Sequence, residues 1–303
     1  MKKLKSGAMC GILFFTVLIL LLLSGLFPLK KLDLLVTTLF ASILLEAIVF
    51  VFPSIIFIRL KGAGYSSGLL FSGFSIRKLP LLLSLLSTAL FGQILFNAFS
   101  YIIGIGGADF TSSSSYILSD IPTSTSFIYV FTAFALVPAL AEELLFRGIF
   151  FKEYSKYGVI PALVVPSLLY AMSHFDLASF SSHFLMGFVL SYAVLLTNSI
   201  WSAIIMHFLA NLMNVYFMPA LWNVITQPMG ILFAIFISVA FFLFFLVLSL
   251  WLSEKHYTLL AENSPSGENP KSGSDKLARL IISPFILPSV ILYLVASLII
   301  LFT

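Results

Sequence analysis

Residues 135–151 read ALVPALAEELLFRGIFF, and this stretch decides the fold. Apart from Glu142, Glu143 and Arg147, every side chain in it is apolar. A solvent-facing helix shows one apolar stripe and one polar face, whereas this run is apolar all the way round. The chain around it has the same character. Its 303 residues are 60% hydrophobic and only 9% charged. Soluble domains carry about 25% charged residues. The bilayer is therefore the natural solvent, and the fold class expected is all-α: a polytopic transmembrane bundle of 8–9 spans.

Nine apolar segments are long enough, or nearly so, to cross the hydrocarbon. They lie at 8–28, 34–58, 79–104, 126–147, 158–175, 180–197, 199–217, 229–253 and 277–302. The first follows Lys2, Lys3 and Lys5, but its apolar run exceeds a signal core and lacks an A-x-A cleavage pattern. It is read as a retained helix. Three regions follow: N-terminal helices at 1–125, a catalytic core at 126–217 in the fourth to seventh spans, and C-terminal helices at 218–303. The polar stretch ENSPSGENPKSGSDK (262–276) lies in a flexible loop placed at 254–276. Basic residues at 2–5, 59–61, 77–78, 152–156 and 255–279 put the N-terminus in the cytoplasm and the C-terminus outside. Lys30 and Lys31 count the other way. A net charge of +4 is too small for a nucleic-acid reader. Cys10 is the one cysteine, which excludes disulfides and cysteine metal clusters.

Ionisable groups in hydrocarbon cost several kcal/mol, so they pair, line a wet cavity or do chemistry. Glu142 and Glu143 diverge by about 100° around a helix. Arg147 lies one turn after Glu143, where a bidentate ion pair is easy. Glu142 points elsewhere and is free to act as a general base. Pro138, one turn earlier, removes a backbone hydrogen bond. A second cluster, SLLYAMSHFD (167–176), stacks Tyr170 one turn before His174. A third, SIWSAIIMHFLANLMN (199–214), puts His207 and Asn211 on one face, where both could donate to an oxyanion. Each histidine alone reads equally as a structural group. Together the three clusters supply the parts for adding water across an amide.

Other polar residues have plainer readings. Glu46 pairs with a buried cation or borders the cavity. Gln93 and Asn97 join helices, His183 and Asp176 sit at the interface, and His256 lies in a loop. Gly148 and Gly187 permit close helix approach.

Glu142-Glu143-x-x-x-Arg147, then Tyr170-x-x-x-His174, then His207-x-x-x-Asn211 resembles the CPBP family. That family comprises the type II CAAX prenyl endopeptidases and the bacterial Abi proteins, linked to bacteriocin processing or self-immunity. The resemblance covers roughly 126–215. It implies an intramembrane glutamic endopeptidase in a bacterial cell membrane. Glu142 would activate water, with His174 helping to hold or deprotonate it, and His207 and Asn211 would stabilise the oxyanion. Glu143, Arg147 and Tyr170 would organise the site or contact substrate. Tyr170 stands where the family usually has Phe. The resemblance implies a peptide or protein substrate at the membrane and no cofactor. A Glu142/His174/His207 zinc site is the alternative. A proton-coupled transporter and a non-catalytic immunity scaffold are the competing functions. The transporter lacks repeat symmetry in its support.

One difficulty concerns depth. If the fourth and fifth spans both begin at the cytoplasmic surface, Glu142 and His174 lie at different levels. The catalytic reading requires the fourth helix to run past the membrane or the fifth to start deeper.

Overall fold

The computed structural model describes residues 6–25, 35–62, 64–105, 127–225, 227, 229–262 and 286–302. Every regular element among them is helical. Helix α1 is Ser6–Gly25. Helix α2 covers 35–61 as Leu35–Glu46, a π-helical stretch Ala47–Val51, and Phe52–Lys61. Short 3-10 turns at Ser66–Gly68 and Ile76–Lys78 lead to α3, Leu79–Ile102. Helix α4 covers 127–155, with π-helical stretches at Phe131–Leu136 and Leu144–Phe150. Then come α5 (Val159–Ser173), α6 (Phe180–Thr197), α7 (Ile200–Tyr216), α8 (Met218–Ile225), α9 (Gly230–Glu262) and α10 (Leu287–Phe302).

All nine expected segments contain a helix. Among the described residues, five helices are long and apolar enough to cross a membrane: Gly7–Gly25, Phe40–Lys61, Ile76–Ile102, Phe180–Thr197 and Gly230–Glu254. Val159–Ser173, Ile200–Tyr216 and Leu287–Leu301 are shorter apolar helices. Helix α8 is an addition to the expected plan; its Trp222 and Ile225 bury against Ala98 of α3. The loop expected over 254–276 is helical as far as Glu262, and His256 falls within that helix. Leu259, Leu260, Ala261 and Glu262 are strong helix formers that carry it past the apolar run. The remainder of that loop lies outside the described residues. So do Lys2, Lys3, Lys5, Lys30, Lys31, Lys271, Lys276 and Arg279, which entered the orientation reading.

Two prolines shape the helices that reach the site. Phe52, just before Pro53, donates its N–H to the Ala47 carbonyl, five residues back. Val137, just before Pro138, donates likewise to Thr132. The widened turn accommodates a ring that would clash with a carbonyl four residues back in a regular helix. Helices α2 and α4 therefore continue through their prolines rather than ending there.

The depth difficulty resolves in the length of α4. The helix runs eight residues beyond the expected 147 and turns at Gly158, whose φ of 119° suits glycine. Glu142 precedes Gly158 by sixteen residues and His174 follows it by sixteen. At 1.5 Å per residue each lies about 24 Å from the turn, so the two side chains reach one level. The added segment is held by charges. Lys61 Nζ and Lys156 Nζ meet Glu153 at 3.0 and 2.8 Å. Lys152 Nζ donates to the Tyr65 carbonyl at 2.5 Å. This belt of charge marks the end of the apolar span, and Phe151–Ser155 lies level with it.

Helix α5 packs along α6, α6 also packs on α3, and α7 leans on both α6 and α4. The loop 69–72 folds over the start of α7. Ile200 N–H donates to the Leu70 carbonyl at 2.7 Å, and Trp201 Nε1 donates to the Phe71 carbonyl at 3.1 Å. Helices α5 and α6 approach backbone to backbone at Gly187 on α6. A Cβ there would stand 3.0 Å from Ser167 Cα and 3.2 Å from the Ser167 carbonyl oxygen of α5. Gly148 is different: a Cβ would meet Ile200 Cδ1 at 3.5 Å, Leu144 Cδ1 at 3.6 Å and the Glu143 carbonyl oxygen at 3.8 Å, all ordinary contacts. The close-approach reading therefore holds for Gly187 and not for Gly148.

Candidate active site

The adjacent glutamates of α4 face different surroundings. Glu143 is fully buried, and its Oε1 accepts two hydrogen bonds. One comes from Arg147 Nη1 at 2.6 Å, the other from His207 Nδ1 at 2.7 Å. Arg147 is also fully buried. Its Nη2 donates to the Gly187 carbonyl at 2.9 Å. The expected bidentate pair is thus a single contact to the carboxylate, with the other arm on the α6 backbone. The tight α5–α6 approach at Gly187 brings that carbonyl within reach. Arg147 is not among the residues lining the cavity.

The Glu143 contact sets the state of His207. A carboxylate only accepts, so Nδ1 carries a proton. Nε2 lies 3.4 Å from the Tyr170 hydroxyl. In the neutral ring Nε2 accepts from that hydroxyl. In the imidazolium it donates into the cavity, with Glu143 offsetting the charge. Tyr170 occupies the centre of the group. The Arg147 guanidinium lies 4.9 Å from its ring centroid, and His174 packs edge-on at 4.9 Å.

Glu142 turns the other way, into a cavity of about 380 Å³ bounded by α2 to α7. It is 7% exposed, and its Oε2 has no hydrogen-bond partner. Tyr170, His174, His207 and Asn211 line the same cavity. The sequence-selected groups from α4, α5 and α7 therefore converge, with Glu143 and Arg147 lying behind them.

Several cavity residues escaped the sequence reading. His183, expected at the interface, stacks on His174 with ring centroids 3.9 Å apart. Its Nδ1 donates to the Ser179 carbonyl at 2.9 Å. The α5–α6 turn is short, and Asp176 Oδ1 accepts from Ser179 N–H within it at 3.0 Å. Asp176 thus caps a turn, and His183 returns to the level of His174. Gln93, expected only as a helix-joining group, also lines the cavity, while Asn97 does join helices through Ser182. Glu46 takes the cavity-border option. Asn214 enters because it lies seven residues after His207, two turns along the same face.

Among the described residues no three His, Cys, Asp or Glu side chains are grouped to hold a metal ion. Glu142, His174 and His207 share the cavity without forming such a group.

Residues 124–213 match the family model described as Type II CAAX prenyl endopeptidase Rce1-like. Over that segment the chain is similar to the type II CAAX prenyl endopeptidases. The match covers under a third of the chain and spans all three motifs, from before Glu142 to after Asn211. No curated protein and no solved structure matches the chain. The family model thus supports a CAAX-protease-like core at 124–213, within an integral membrane protein of apolar helices. At the level of that family, the activity is peptide-bond hydrolysis.

Proposed function

We propose that this protein is an intramembrane endopeptidase in which Glu142 activates the attacking water without a metal. The observation that carries the reading is the unpartnered Glu142 carboxylate facing a cavity it shares with His174, His207 and Asn211. The Arg147 and His207 contacts beside it are both made to Glu143, which leaves Glu142 available for chemistry.

In the proposed cycle, the Glu142 carboxylate takes a proton from water as the water oxygen bonds to the peptide carbonyl carbon. His174 orients that water from the facing wall. The carbonyl oxygen becomes an oxyanion, and the Asn211 amide and His207 Nε2–H donate to it. That role needs a proton on Nε2 as well as the one that Nδ1 donates to Glu143. Collapse of the intermediate breaks the C–N bond, and Glu142 returns its proton to the leaving amine. Tyr170 and His183 hold the His207 and His174 rings.

The substrate is a peptide or protein at the membrane. A precursor peptide of a bacterial cell fits the small cavity and short described loops as well as a prenylated chain does. The basic loops support a cytoplasmic N-terminus. The test is cleavage of a membrane-anchored peptide library by the purified protein in lipid nanodiscs, with metal analysis of the same sample. The proposal expects cleavage that persists under chelators. Cleavage abolished by chelator and restored by zinc would overturn the metal-free mechanism, and no cleavage would overturn the endopeptidase reading.

A further inference from the structure

The cavity is short of hydrogen-bond donors. Four lining side chains hold a buried oxygen without a partner: Glu46 Oε2, Gln93 Oε1, Glu142 Oε2 and Asn214 Oδ1. The two amides can turn either end to a ligand, but the two carboxylates can only accept when ionised. Among the described residues no Lys or Arg lines the cavity. Arg147, the nearest cation, is tied to Glu143 and Gly187. Two histidine donors point elsewhere, His207 Nδ1 to Glu143 and His183 Nδ1 to the Ser179 carbonyl. Two carboxylates facing one buried space repel each other, and each is costly without a counter-charge.

One carboxylate is accounted for by the chemistry proposed above, and the other is not. Glu46 comes from α2, outside the matched 124–213 segment, so it belongs to the flanking helices of this chain. It borders the π-helical turn before Pro53, which re-aims the helix at that point. We propose that Glu46 is a substrate-specificity residue: it binds a basic side chain of the peptide, a lysine ammonium or an arginine guanidinium, close to the bond that Glu142 hydrolyses. The inference rests on the endopeptidase reading for the bond, but not for the cation. The bound cation brings the donors the cavity lacks and offsets one of its two negative charges. Glu142 is then left to the water.

The experiment uses the full-length protein in nanodiscs and fluorescent, acetylated and amidated pentapeptides that differ only at the central residue. Binding is read by polarisation, and product by chromatography of the same samples. The lysine and arginine peptides bind wild type at least about tenfold more tightly than the norleucine peptide. In Glu46→Gln that preference shrinks to about twofold or less, while binding of the norleucine peptide is unchanged and reports an intact cavity. Equal binding of lysine and norleucine peptides to wild type overturns the proposal, as does a preference that survives Glu46→Gln. A norleucine peptide with a free amino terminus is the remaining arm. If it matches the lysine peptide, the site reads an amino terminus and the side-chain assignment falls. Preference without cleavage removes the endopeptidase reading and keeps the cation site. Cleavage without preference does the reverse.

Discussion

The buried ion pair behind the cavity makes a sharp energetic prediction. Glu143→Gln keeps the shape of the side chain and removes its charge. The Arg147 guanidinium then keeps two neutral acceptors, the Gly187 carbonyl and an amide oxygen, but no counter-charge, and its Nε is already without a partner. Leaving one fully buried charge uncompensated costs roughly 3–5 kcal/mol. Arg147→Met strands the Glu143 carboxylate with His207 alone and costs a similar amount. Independent effects would sum to about 6–10 kcal/mol in the double variant. The geometry predicts otherwise. With both charges gone, what remains is an unmatched Gly187 carbonyl and a weaker acceptor for His207 Nδ1, at about 1–3 kcal/mol together. The double variant is therefore more stable than either single one. Unfolding in mixed micelles by denaturing detergent, followed through Trp201, Trp222 and Trp251, measures all four proteins. Losses that add to within about 0.5 kcal/mol would refute the coupled pair.

Other outcomes follow from the same geometry. Gly187→Ala drives a Cβ into the Ser167 backbone and moves the carbonyl that holds Arg147, so it destabilises by about 1–3 kcal/mol; Gly148→Ala, whose Cβ would make only ordinary van der Waals contacts, is near neutral in the same unfolding assay. Tyr170→Phe removes a hydroxyl 3.4 Å from His207 Nε2. At that length the bond is weak, so turnover falls by less than about tenfold, read as kcat on any cleaved peptide. Glu153 lies at the charged end of α4; burial alone would raise its pKa, but hydrogen bonds from Lys156 and Lys61 outweigh burial and hold it below the usual carboxylate value. A depressed carboxylate stabilises the fold above its unfolded pKa and loses that contribution as pH falls through its folded pKa. Stability measured against pH should therefore be flat above about pH 5 and fall in the acid range below it, and Glu153→Gln should flatten that acid limb.

The fold was legible in the sequence because the signal is redundant. Each span is apolar around its whole circumference, so helix type and approximate place follow without any long-range contact. The spacing of Glu142, Glu143 and Arg147 also settled which glutamate would be paired, since the three lie on one helix. What escaped depends on contacts between helices. The second arm of Arg147 ends on a backbone carbonyl forty residues away, a partner with no side-chain signature. His183 joins His174 only because the α5–α6 turn is tight enough to bring it back to the same level. Glu46 faces the cavity because α2 packs against α4, which no local pattern records. The extent of α4 was missed for another reason: Lys152 and Lys156 read as basic residues beyond the end of the span at 147, whereas they belong to the charged end of a continuing helix.

The central claim is that the free carboxylate of Glu142 activates water, and Glu142→Gln addresses it most directly. The substitution keeps the size of the side chain and removes no hydrogen bond at Oε2, which has none. Purified wild type and variant, compared on the same library peptide in the same nanodiscs, should differ by at least about 10³-fold in kcat, with an unchanged or slightly raised unfolding midpoint. Cleavage by Glu142→Gln at an undiminished rate would contradict the account.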